Sequence, residues 1–153
     1  MQAVRSRAKV CKGFTLLELL VVLAIASALV AIVVPQFSGV MATLELKSSV
    51  RELASALRQA RSQAIAQRHH VAVTLNVERR TYETSGVTQR HTLPSALKLK
   101  LLTAKSEIVN ETVGAIRFFA DGSSTGGQIK LSTDGHAHVI DVKWLTGRVS
   151  IHD

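Results

Sequence analysis

Residues Phe14 to Val34, FTLLELLVVLAIASALVAIVV, form a 21-residue run whose only charge is Glu18. At about 1.5 Å per residue, a helix of this length spans roughly 30 Å, the hydrocarbon thickness of a bilayer. A chain of 153 residues has too small an interior to bury such a rod all round. The run therefore reads as a membrane-spanning helix. Residues 1–13 carry Arg5, Arg7, Lys9 and Lys12 and no acid, which keeps the N-terminus cytoplasmic and sends everything beyond Val34 across. A secretory signal peptide would place small residues after the apolar core, but Val33-Val34-Pro35-Gln36-Phe37 follows it without an A-x-A-like site. The small residue stands before the core instead, at Gly13.

Glu18 needs its own explanation. A carboxylate inside a membrane helix costs about 2.5–3.5 kcal/mol, so it calls for a partner or a function. It follows Phe14 by four residues, one helical turn. A cut after Gly13 would create an amine at Phe14 beside it, on the same chain or on a neighbour. In a stack of such helices, the pairing between chains would set the axial register.

The stretch Gly13-Phe14-Thr15-Leu16-Leu17-Glu18 resembles the cleavage motif of type IV pilins and type II secretion pseudopilins. The resemblance implies a prepilin peptidase that cuts after Gly13 and N-methylates Phe14, with Glu18 serving assembly. Pro35 falls where many members carry a helix-kinking proline, and its missing N–H makes a kink the expectation on physical grounds as well. Cleavage would lower the side-chain charge from +8 to +4, since the leader holds four of the 19 basic residues and none of the 11 acids. It would also remove Cys11, the single cysteine. Mild basicity with 4% aromatics argues against a nucleic-acid partner.

Beyond Pro35, Leu46, Val50, Leu53, Leu57, Ala60 and Ala64 recur at spacings of three and four. They form an apolar stripe on a helix that runs to about Gln67. Two of the six are alanine and the repeat is short, which favours a helix laid on a sheet over a coiled coil. Lys47, Arg51, Arg58, Arg61 and Arg68 lie mostly off the stripe and read as a solvated face. After Arg68 the period becomes two, at Val71, Val73, Leu75 and Val77. Residues 81–84 can return antiparallel, and Leu97, Leu99 and Leu101 alternate with lysines. Further strands are expected over 115–119, 128–132, 139–145 and 148–151, with Asp134-Gly135 as a hairpin turn. Residues 103–113 read as loop. The organisation expected is a leader (1–13), a hydrophobic assembly helix (14–35), its amphipathic continuation (36–67) and a periplasmic antiparallel β domain (68–153). The class is α+β, type IV pilin-like, with a long N-terminal helix packed on an antiparallel sheet.

Phe118-Phe119-Ala120-Asp121-Gly122-Ser123-Ser124-Thr125-Gly126-Gly127 lacks the lysine and spacing of a phosphate-binding loop. It reads as a hairpin connection between strands 115–119 and 128–132. It also resembles the F-x-x-D-G-S-S-T-G-G loop of H-type minor pseudopilins and their minor-pilin relatives, with Ala120 where many of these have proline.

No catalytic pattern emerges, and neither an enzyme nor a cofactor is expected. His136 and His138 lie on one strand face at a spacing that can bind zinc, but no third ligand accompanies them. His69-His70, His91 and His152 are weaker candidates still. Asp121 or Asp134 with Asp141 would make a calcium site only in loops of greater acidic density. Trp144 reads as core or sheet packing.

The reading is a minor pseudopilin of a type II secretion system, anchored in the inner membrane and then assembled into a periplasmic pseudopilus. The partners this implies are the prepilin peptidase, minor and major pseudopilins, the inner-membrane platform, the lipid bilayer and exoprotein cargo. A minor pilin of a type IV pilus or DNA-uptake machine shares these features. An unprocessed, membrane-anchored binding domain is the alternative of a different class.

Overall fold

The computed structural model describes residues 14–153, and side chains 30–40 are outside what it describes. The expected leader, including Gly13, lies outside the described residues, and so does the side chain of Pro35 at the expected kink. Helix α1 spans Leu16–Gln67. The chain divides into two compact units near Ser38.

In the first unit α1 begins with a cap. Thr15 precedes the helix, and its Oγ1 accepts the Glu18 backbone N–H at 3.2 Å. This is one half of a T-x-x-E capping box. The apolar side chains on either side of the cap are bare, with Phe14 79% and Leu16 81% exposed. Among the described residues no helix is long and apolar enough to cross a membrane, residues 30–40 being outside that stretch.

In the second unit the stripe Leu46, Val50, Leu53, Leu57, Ala60 and Ala64 is buried throughout, and the helix ends at Gln67 as its period requires. Arg68 takes a left-handed φ of 52°, which turns the chain out of the helix. The strands are β1 (Val71–Asn76), β2 (Thr81–Thr84), β3 (Arg90–Thr92), β4 (Lys98–Thr103), β5 (Ile108–Asn110), β6 (Val113–Phe118), β7 (Gly127–Thr133), β8 (His136–Val142) and β9 (Val149–His152). They form two antiparallel sheets, ordered β3-β2-β1-β6-β5 and β4-β7-β8-β9. One core joins the helix stripe to Val71, Val73, Leu75, Ile116 and Phe118 of the first sheet and to Leu99, Ile129, Leu131 and Ile140 of the second. Burial of this apolar surface, at about 25 cal/mol per Å², is what holds helix and sheets together.

Three expectations change. Residues 103–113 are not loop: Lys105–Glu107 form a 3-10 turn and Ile108–Asn110 form β5. Strands β6 and β7 are not a hairpin, because β1 and β5 occupy both edges of β6 and leave none for β7. The glycine-rich segment therefore crosses from one sheet to the other. The strand expected over 139–145 runs instead from His136 to Val142. The two-residue Asp134-Gly135 turn pairs Thr133 directly with His136, so the strand starts early and ends before Trp144.

Candidate functional site

Two regions carry the motifs. The first is the start of α1. Thr15 caps the helix and Glu18 lies in its first turn, where a carboxylate also meets the positive end of the helix dipole. Phe14 stands just before the cap. The exposed apolar surface of residues 14–29 has no place in water and calls for lipid or other apolar helices around it. The cap was legible as T-x-x-E but not anticipated.

The second is the crossover loop, residues 119–126. Asp121 Oδ1 accepts the Ser123 backbone N–H at 2.9 Å and the Ser123 hydroxyl at 2.6 Å, an Asx turn. The Ser123 hydroxyl, followed by its amide, holds the Asp121 carboxyl below the ordinary range. The Gly122 carbonyl accepts Arg61 Nε from α1 at 3.0 Å. The Ser124 N–H donates to the Trp144 carbonyl at 2.8 Å, and Ser124 Oγ, buried, accepts the Gly126 N–H at 3.0 Å. Thr125 and Arg117 exchange two bonds, Thr125 N–H to the Arg117 carbonyl at 2.9 Å and Arg117 N–H to Thr125 Oγ1 at 3.0 Å. The Phe119 ring stands edge-on to His70 at 6.2 Å. The loop thus ties together the helix, the end of β6 and the turn after β8.

Glycine is required where these parts meet. Gly147, at φ 60°, lies so close that a Cβ would run into the Gly122 carbonyl and reach Arg61 Nε at 2.9 Å. Gly126, at φ 72°, would place a Cβ 3.0 Å from that of Trp144. Trp144 itself is 67% exposed. It is not a core residue, because the turn between β8 and β9 presents its backbone inward and its ring outward.

The other candidates are dispersed. Asp121 serves its own turn, Asp134 pairs with Lys98 at 3.2 Å and Asp141 pairs with Lys143 at 2.9 Å, so the three do not converge. Asp141 is buried and also accepts Gln128 Nε2 at 3.1 Å. The Lys143 ammonium is the main cause that lowers its carboxyl below the usual range. His136 and His138 do share a strand face, and His138 Nδ1 is engaged by Asp153 at 2.6 Å. Among the described residues no three potential ligands cluster as a metal site would require.

Two polar clusters escaped the sequence reading. Glu107 is buried and holds Arg117 in a fork, Nε to Oε1 at 3.0 Å and Nη2 to Oε2 at 3.1 Å. That bond raises the Arg117 guanidinium above its ordinary value. Tyr82 stacks on His91 at 4.8 Å, and Glu52 of α1 accepts the Tyr82 hydroxyl at 3.1 Å and lies 3.2 Å from His91 Nδ1. Burial first, then Glu52, pushes the Tyr82 hydroxyl well above the ordinary phenol range. Pairs so far apart in sequence leave no local pattern to read.

Comparison with known proteins adds independent findings. Residues 49–146 match the family described as type II transport protein GspH, and residues 8–34 match the prokaryotic N-terminal methylation motif. The type II secretion system protein H of Xanthomonas campestris pv. campestris is 33% identical over 138 residues, covering 90% of this chain and 81% of that protein. Among solved structures, the type IV minor pilin FimU of Pseudomonas aeruginosa matches with a TM-score of 0.55 at 20% identity, over 72% of this chain and 90% of that one. The minor pseudopilin EpsH of Vibrio cholerae matches with a TM-score of 0.56 at 15% identity, over 71% of this chain and 96% of that one. At these identities the two structures speak for the fold alone.

Proposed function

The chain belongs to the GspH family of type II transport proteins, and on that premise we propose how it works as a minor pseudopilin of a type II secretion system. The protein enters the inner membrane through residues 14–35 with the basic leader in the cytoplasm. A prepilin peptidase cuts between Gly13 and Phe14 and methylates the Phe14 amine. The bare apolar helix then leaves lipid for the helices of neighbouring pseudopilins in a periplasmic filament. Lipid and helix surface are equally apolar, so burial alone gives little preference for one axial position. Glu18, pairing with the Phe14 amine of a neighbour, supplies that preference. Pro35 lets the helix bend between the packed rod and the domain.

The observation that carries this reading is the combination of a methylation motif over residues 8–34 with an H-type domain over 49–146. The crossover loop, Asp121 to Gly127, acts as a brace that fixes both sheets to α1. The second unit's part of α1 and both sheets thereby act as one body, which presents its outer surface to other pseudopilins or to exported protein. The role is mechanical, with no reaction assigned to the chain.

Deletion in the native host tests the system. Loss of exoprotein secretion with pilus-dependent motility intact is the expected result. The opposite pattern would reassign the chain to a type IV pilus. Glu18→Leu is expected to insert and be processed but to fail in cross-linking to neighbouring pseudopilins. Glu18→Gln keeps the N3 position of the cap and removes the charge, so equal assembly by Glu18→Gln and the native chain would refute an ionic role.

A further inference from the structure

A cleft of about 790 Å³ lies between α1 and the β8–β9 turn, and Arg58, Arg61, Lys143, Arg148 and His152 line it with no acidic residue among its walls. A second hollow, of about 270 Å³, lies between the same helix and β9, and Lys47, Arg51, His138, Ile151 and Asp153 border it. Both hollows lie along the trough between α1 and β9, one near each end, without a shared lining residue. Lys143 is answered by Asp141, while Arg58, Arg61, Arg148, Lys47 and Arg51 have no carboxylate partner among the described residues. Arg58 and Arg61 are already held in place, through Nη2 to the Val149 carbonyl at 3.3 Å and Nε to the Gly122 carbonyl at 3.0 Å. Preorganised cations lose less freedom when a ligand arrives.

Two features select the ligand. Strand β9 ends its sheet, so its second edge carries no strand and favours an extended chain beside it. The turn that lines the cleft with Lys143, Thr146 and Gly147 also carries Trp144 and Leu145, which are 67% and 66% exposed and stand outside the lining. Arginines in the cleft and an exposed tryptophan on its turn are residue types enriched in protein-binding hot spots. We propose that this trough binds an extended, carboxylate-rich segment of another polypeptide, with an apolar residue of that segment against Trp144 and Leu145. The proposal concerns the domain surface and stands apart from processing of the N-terminus. Its failure would leave the filament role untouched.

The test uses the processed full chain in mild detergent and a fluorescein-labelled peptide of alternating glutamate and threonine, read by anisotropy. Binding that weakens with added salt is expected. The exposed double substitution Arg51→Glu/Arg148→Glu should weaken binding by about tenfold and favour a lysine–threonine peptide instead, whereas the milder Arg148→Ala should weaken it about threefold. Unchanged affinity in the double variant would overturn the proposal. Stronger binding of single-stranded oligothymidine, or of soluble glycerol phosphate, at matched charge would also overturn it, in favour of a phosphate-bearing ligand.

Discussion

Arg117→Met tests whether the Glu107–Arg117 fork holds the region around the crossover loop. Glu107 sits in the 3-10 turn with its side chain 7% exposed, and both its oxygens are taken by Arg117. Removing one partner of a fully buried pair costs about 3–5 kcal/mol, because the remaining charge is left without compensation. The Arg117 side chain is 38% exposed, so water can reach the vacated side, and a loss of about 2 kcal/mol is the better expectation. Glu107→Met/Arg117→Met removes both charges and should fall within about 1 kcal/mol of the native protein. With Glu107→Met, which leaves only a partly solvated guanidinium, at about 1 kcal/mol or less, the coupling energy is about 1–3 kcal/mol. Urea unfolding in mild detergent, followed by far-ultraviolet circular dichroism, measures all four members of the cycle. If the double variant is as unstable as the sum of the singles, the fork contributes nothing and this reasoning fails.

Gly147→Ala should cost about 2 kcal/mol or more, from the left-handed backbone and the approach to the Gly122 carbonyl, and Gly135→Ala, with open space around it, should cost less; equal melting shifts would refute the close-approach argument. Asp141 has a folded-state pKa below its ordinary value of 3.8, so its contribution is present above that value and lost as the pH falls through the depressed one. Asp141→Asn should therefore flatten the acid limb of the stability curve, and an unchanged acid limb would contradict this. Tyr82→Phe keeps the stacking on His91 but loses the bond to Glu52, at about 1 kcal/mol; a change in denaturation midpoint too small to detect would show that the bond is idle.

Periodicity decided what was legible in this chain. The stripe from Leu46 to Ala64 and the alternation of Val71, Val73 and Leu75 reflect burial on one face, and burial is what a sequence period encodes. The assembly of strands into sheets was harder to read. Residues 128–132 follow 115–119 after a turn-rich segment, and only the presence of β5 on the second edge of β6 turns that hairpin into a crossover. β5 itself is exposed along all three residues, so it has no apolar alternation to announce it. Trp144 misled for a related reason, since ring size predicts burial only on average. At the site, Gly13, Phe14 and Glu18 stood out because their spacing is local. The bonds from Arg61 to Gly122 and from Arg117 to Glu107 depend on tertiary approach and leave no spacing signature.

The most direct test of the account is the mass of the protein recovered from its native host. Intact-mass and N-terminal analysis should find a chain that begins at N-methylated Phe14 and lacks residues 1–13. Functional protein that still begins at Met1 would contradict it, because no free amine would then stand one turn before Glu18.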